Sequence, residues 1–365
     1  MKVAVVGRGL MGSAAARHLA KAGHEVVLIG PGEPKDKARH QGVFASHYDE
    51  GRITRHIATN AFWSIAAKAA IARYADIARE SGIAFFTDCG ALMAGSSEYI
   101  DRVDAASVEA GVQSEHLDPD GLAERLSMLR LADGAHGRYE AFAAGHISPR
   151  LLVAAQTKAA QKAGAQVVDA EVTDLGEGWC IADGTRFDAD RVIVAAGAWS
   201  DAVLGRTNQH SVMARTVAFL EVDEIETARI GRMPSVVFEA PNDPYVLPPI
   251  RYPDGRIYLK IGGDPEDRPL ATRSDIENWF RGGGSPQTRD MIDAQLRELV
   301  PGLIVQSVSM TACVTTWTQN RLPEIAQLSD QLVICAAGNG AGAKCSDELG
   351  RRGAALAVGN ERLGL

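Results

Sequence analysis

The sequence predicts an α/β protein in which a doubly wound parallel sheet is joined to a second, α+β domain built on a mixed sheet. Three observations predict it. Lys2-Val3-Ala4-Val5-Val6 is a short, β-branched apolar run leading directly into Gly7-Arg8-Gly9-Leu10-Met11-Gly12 and an Ala-rich helical stretch. Strands ending in small residues return at Ala195-Ala196-Gly197 and at Gly338-Asn339-Gly340-Ala341-Gly342, the latter again followed by an Ala-rich helix. Between these two, residues 210–262 carry strand signals and an Asp254-Gly255 hairpin turn.

Residues 13–22 complete the first helix, Gly23 closes it, and residues 25–29 form the second strand. The result is a Rossmann-like β-α-β unit around G-x-G-x-x-G. Gly7 permits the tight turn, Gly9 lets a pyrophosphate approach the backbone, and Gly12 lets helix and strand pack closely. Phosphates would rest on the free N–H groups of the helix N-terminus, beside Leu10 and Met11. The plainer alternative is a turn without a ligand. One feature departs from the fingerprint, which places an acid after the second strand to hold the ribose hydroxyls. Here Ile29 is followed by Gly30-Pro31-Gly32, and the first acid is Glu33. Either Glu33 reaches back, or backbone groups and a water replace the acid. A missing acid also suits a 2′-phosphate, which keeps NADP open.

The 365 residues suffice for two domains, and 46% hydrophobic with 23% charged residues is ordinary for a globular protein. A net charge of −8 argues against nucleic acid or an anionic membrane as partner. The N-terminus reads as strand rather than leader, and no apolar run approaches a membrane span. Five scattered cysteines without C-x-x-C spacing indicate neither a disulfide framework nor a metal site, so the expected compartment is the cytoplasm. The oligomeric state is not legible.

Taken in order, residues 34–41 are a polar loop. Residues 44–56 then gather Ser46, His47, Asp49, Glu50, Arg52, Arg55 and His56. A helical turn would project Arg52 and Arg55 from one face; a solvated charge cluster is the alternative. Residues 61–81 predict one long helix, 83–93 two strands about a Cys89-Gly90 turn, and Asp118-Pro119-Asp120-Gly121 a turn. Pro149 opens a helix through residue 163. Strands follow at 165–168 and 170–175, which includes Val172, with a hairpin turn at Asp183-Gly184. Asp190 to Ala195 is a buried strand whose Ala196, Gly197 and Trp199 turn brings backbone close to the same nucleotide. Further strands are expected at 217–222, 235–238, from Tyr245, and at 257–261, where Lys260 lies between apolar neighbours. Helices are expected at 274–280 and 286–299, strands at 307–316 and 332–337, and a last helix at 345–358.

These stretches, in this order, resemble the FAD-dependent amino-acid oxidase superfamily, and its sarcosine oxidase/N-methyl-tryptophan oxidase branch most closely. The resemblance spans the chain and rests on Gly7 to Gly12, the Ser46–His56 cluster, Val192 to Ser200, Tyr258 to Gly262, and Cys313 with Ala337 to Lys344. It implies that Arg52 lies above a flavin and that Arg55 and Lys344 clamp a substrate carboxylate, with Tyr245 beside it. It implies that Lys260 approaches flavin N5 through a water and stabilises the anion formed when O2 reoxidises the flavin. Cys313 stands where sarcosine oxidases bond their flavin, against the alternative of a buried structural thiol. Gly262-Gly263 stands where those enzymes have an active-site His, and Thr315 where an aromatic is expected, which implies a roomier pocket.

The resemblance further implies an FAD domain assembled from residues 1–85, 145–210 and 305–365, and a substrate domain from 86–144 and 211–304. The implied reaction oxidises the C–N bond of an amino acid or N-alkyl amino acid, with O2 reoxidising the flavin. His47 or His56 would help remove an amine proton. The alternatives are an FAD-dependent dehydrogenase using another acceptor, an NADP-dependent dehydrogenase, and a non-catalytic FAD-binding subunit.

Overall fold

The computed structural model describes residues 1–359. Residues 360–365, assigned above to the FAD domain, lie outside the described residues. Lys2–Val6 is the centre of a six-stranded sheet. On one side it pairs in parallel with Glu25–Ile29, which pairs with Gln166–Val168. On the other it pairs with Arg191–Val194, which pairs with Leu332–Ala336. Only the edge strand Glu324–Ser329 runs antiparallel. The central strands are β-branched and buried on both faces, as covered parallel strands must be.

The covering helices are Ala-rich because they pack closely. A Cβ at Gly350, in the C-terminal helix Gly342–Ala357, would stand 2.5 Å from the Met11 carbonyl of the Leu10–Lys21 helix. Only glycine admits that crossing.

The second sheet has nine strands and is mixed. Ser235–Phe238 runs parallel to Ala91–Gly95, whereas its other ladders are antiparallel. Its apolar face packs Leu220, Leu259 and Ile261 against Ile292 and Leu296 of the Pro286–Leu299 helix. Ser307–Trp317 pairs with Ser211–Val222 along its whole length, so this strand joins the mixed sheet rather than the parallel one. The division expected at 305 therefore cuts before a strand of the mixed sheet.

Three local expectations are corrected. The long helix over 61–81 is two, Ala61–Ile71 and Tyr74–Ser81, broken where Arg73 turns to pair with Asp347 and Glu348. Asp118-Pro119 opens a helix, Pro119–Arg125, because the Asp118 side chain accepts from Gly121 N at 2.8 Å and proline suits the first turn. The helical turn expected for Arg52 and Arg55 is a strand, Arg52–Thr54, in register with Gly145–Ile147. No helix among the described residues is long and apolar enough to cross a membrane.

Candidate active site

The C-terminal ends of the parallel strands face the mixed sheet across a cavity of about 1270 Å³. That exceeds the ~300–1,000 Å³ of an ordinary small-molecule pocket and suits a dinucleotide with a substrate beside it. Its floor is the glycine turn. Gly9 caps the Leu10–Lys21 helix with no side-chain cap and no acid in the first turn, which leaves its N–H groups free for an anion. A Cβ at Gly9 would meet nothing nearer than His47 Nδ1 at 3.9 Å, so the backbone is open to the cavity. Gly7 and Gly12 do not line it. Their Cβ atoms would stand 2.3 Å from Ala195 O and 1.8 Å from Gly7 O, so both serve packing of the turn rather than ligand contact.

Leu10, Met11, Val172, Ala196, Gly197 and Trp199 extend the wall, and Trp199 is fixed by a 2.7 Å hydrogen bond to Phe44 O. The Gly338–Gly342 loop lines the cavity next to Met11, and Ala337 before it (φ 61°) and Asn339 within it (φ 45°) are left-handed. Such backbone persists where its surroundings over-determine it. Asn339 N donates to Thr316 O at 2.9 Å, and its Oδ1 accepts from Thr318 N at 2.9 Å. The loop is thereby tied to the strand that carries Cys313. Cys313 lines the cavity half-buried, its Sγ 3.5 Å from Arg52 Nη2. Ser46 also lines it, its carbonyl accepting from Arg52 Nη2 at 3.0 Å.

Two cations on the wall that are at least partly buried, Arg55 and Lys344, form no ion pair among the described residues. Arg55 forms no ion pair among the described residues, and its buried Nε has no hydrogen-bond partner. Burial pulls its pKa down from the ordinary value without discharging it. Lys344 is 3% exposed, and among the described residues its Nζ donates to Ala341 O alone, at 3.4 Å. Burial, with Arg55 acting in the same direction, lowers its pKa to about 8. Buried unpaired charge is costly, so this arrangement suits an anion arriving from the cavity.

Lys260 is placed differently from the sequence expectation. It is fully buried and absent from the cavity wall. Its Nζ contacts Asp49 Oδ2 and donates to Gly51 O at 2.5 Å. Arg52 Nη1 contacts the same Asp49 oxygen, and Tyr252 OH donates to Asp49 Oδ1 at 3.0 Å. Arg52 therefore faces the cavity, with Lys260 behind it. Burial, then Arg52, hold the Lys260 ammonium well below its ordinary range, against a smaller opposing pull from Cys313. Tyr245 lines the cavity over Gly262, where a Cβ would stand 2.5 Å from its ring, and its centroid is 5.6 Å from Lys260 Nζ. Burial raises its hydroxyl to about 12.

The remaining expectations are corrected by position. His47 sits beside the Gly9 turn, where burial lowers its pKa to about 3. His56 is off the wall, its Nδ1 2.7 Å from Glu140 Oε1. Glu33 does not reach back: its carboxylate is held by Arg150 at 2.6 and 2.9 Å and by Lys37 at 3.0 Å. Two residues escaped the sequence reading. Asp49 stood in the charged cluster with nothing local to mark it as the shared counter-ion. Asp264 lines the cavity two residues beyond Gly262; its Oδ1 accepts from Thr216 N at 2.9 Å, and burial raises it to about 6.

Comparison with known proteins agrees with this geometry. The FAD dependent oxidoreductase family matches residues 2–356. Monomeric sarcosine oxidase of Bacillus sp. (strain B-0618) is 25% identical over 95% of this chain and 90% of its own. N-methyl-L-tryptophan oxidase of Yersinia pestis (strain Pestoides F) is 26% identical over 53% of each. In fold, the L-proline dehydrogenase of P. horikoshii superposes with a TM-score of 0.77 at 18% identity, covering 97% of this chain and 92% of that one. With an open glycine turn, a cavity of dinucleotide size and a family match over nearly its whole length, the chain belongs to the FAD dependent oxidoreductases, and FAD is the dinucleotide it binds.

Proposed function

We propose that the enzyme oxidises the C–N bond of an amino acid or N-alkyl amino acid and passes the electrons to O2, giving an imine that hydrolyses and H2O2. The observation that carries this reading is the half-buried Arg55 and the buried Lys344, facing one cavity with no ion-pair partner among the described residues. They bind the substrate carboxylate and fix its α-carbon; Tyr245 and Arg52 close the wall beside it. Bound FAD supplies the hydride acceptor. The names of the sarcosine and N-methyl-L-tryptophan oxidases support the substrate class. We also propose that Cys313, whose thiol lines the cavity against Arg52, is the point of covalent attachment for the flavin.

One observation favours an FAD-dependent dehydrogenase instead. Lys260, the cation expected to assist O2, is off the wall and shares Asp49 with Arg52. A single set of measurements separates the readings. O2 uptake and H2O2 release are followed with N-methyl amino acids and with matching amines that lack the carboxylate. Turnover restricted to carboxylates with stoichiometric H2O2 is expected. Reduction of an artificial dye without O2 uptake assigns a dehydrogenase, and equal rates on plain amines refute the carboxylate clamp. Flavin colour retained in the acid-precipitated protein is expected for the cysteine bond, and its loss to the supernatant refutes that bond.

A further inference from the structure

The second strand ends without the acid that usually holds the ribose, and the structure gives the reason. A Cβ at Gly30 would stand 2.6 Å from Arg8 N and 2.9 Å from Arg8 Cβ. No side chain fits there. Arg8 fills the space and extends along the same edge, its Nη2 3.0 Å from the position of a Gly32 Cβ, and it lines the cavity. Its guanidinium is paired with Asp169, Nη2 to Oδ2 at 3.3 Å. Asp169 follows the Gln166–Val168 strand, the neighbour of Glu25–Ile29, and its Oδ1 accepts from Gly32 N at 2.9 Å. Glu33, the acid the sequence offered, is engaged by Arg150 and Lys37.

We propose that Arg8, positioned by Asp169, holds the adenosine ribose of the bound dinucleotide in place of the missing acid. A ribose hydroxyl both donates and accepts, so a guanidinium donating to its oxygen replaces a carboxylate accepting from it. The polarity of the contact is reversed, while its place at the end of the second strand is kept. Asp169 restrains the guanidinium through one oxygen and the Gly30–Gly32 turn through the other. The arrangement also puts a cation within reach of the diphosphate, which a carboxylate would repel.

The inference rests on FAD occupying this cavity, and the test separates the two. Apoprotein made in riboflavin-starved cells and carrying Cys313→Ser, so that FAD binds reversibly, is titrated with FAD by flavin fluorescence, and with ADP, 2′-deoxy-ADP and 3′-deoxy-ADP by calorimetry. Arg8→Ala is expected to weaken FAD about ten- to hundredfold, the scale of charge-assisted hydrogen bonds. The intact protein is expected to prefer ADP over at least one deoxy analogue. Arg8→Ala abolishes that preference, and Asp169→Asn reduces it. The preference is a ratio between ligands on one protein, so a loss of folded material leaves it unchanged. An Arg8→Ala protein that keeps the full deoxy discrimination, or binds FAD as tightly as before, overturns the proposal. Failure of the apoprotein with Arg8 intact to bind FAD would instead refute the flavin seat itself.

Discussion

Replacing Asp49 by Asn tests the charge balance behind the cavity wall. Asp49 is 6% exposed, and its one carboxylate serves the fully buried Lys260 and the Arg52 guanidinium, with Tyr252 donating to the other oxygen. Removing one partner of a buried ion pair costs ~3–5 kcal/mol, because the other charge is left uncompensated. Two cations are stranded here, which argues for the upper end of that range. Lys260 is already held well below its ordinary range by burial and by Arg52, so it loses its proton readily and limits the cost. The expectation is about 3 kcal/mol near neutral pH. The sign of the pH dependence follows from linkage. A folded variant with neutral Lys260 binds one proton fewer than the unfolded chain below the ordinary lysine pKa, so its stability rises with pH. Urea midpoints are measured across pH for Asp49→Asn, Lys260→Met and the double variant. The double variant removes one cation with the anion and is expected to cost less than the sum of the single changes by about 2 kcal/mol. Strict additivity, or a cost below about 1 kcal/mol for Asp49→Asn, refutes the shared counter-ion.

Arg55→Met is expected to raise KM by an amount equivalent to roughly 2–4 kcal/mol of binding, with a smaller effect on kcat, because the contact it makes is charged and desolvated. Steady-state kinetics on the best carboxylate substrate check this, and an unchanged KM refutes the clamp. Lys344, lowered to about 8 by burial, carries its charge below that pH and loses it above. Affinity for a carboxylate inhibitor, read from the flavin spectrum, is therefore constant at neutral pH and falls above about 8 by up to tenfold per unit. Lys344→Met removes that fall.

The sequence by itself determined the parallel sheet, the glycine turn and the hairpin at Asp254-Gly255, because each depends on neighbouring residues. Val3 to Val6 are apolar on both faces and leave no face for solvent, and a turn with φ of 108° at Gly7 excludes other side chains. Proline and side-chain caps likewise fix where helices begin, although the Asp118-Pro119 pattern fits a turn as well as the helix its cap geometry starts. The strands of the mixed sheet were legible, but not the membership of Ser307–Trp317, since pairing over eleven residues with Ser211–Val222 is a long-range choice.

For the site, local motifs place Gly9, Ala196 and the Gly338–Gly342 loop on the cavity, while Gly7 and Gly12 of the same glycine motif pack the turn instead. Charge partners were another matter. Whether Lys260 met solvent, flavin or a carboxylate depended on Asp49, 211 positions away in sequence. Whether Glu33 served the ribose depended on Arg150, 117 positions away. His47 fell beside the pyrophosphate turn and His56 against Glu140, though they lie in one short cluster. Backbone turns are decided by sterics within a few residues, so they are written locally. Coulombic and hydrogen-bonding partners are chosen by whatever the fold brings within about 3 Å, and only the tertiary structure makes that choice.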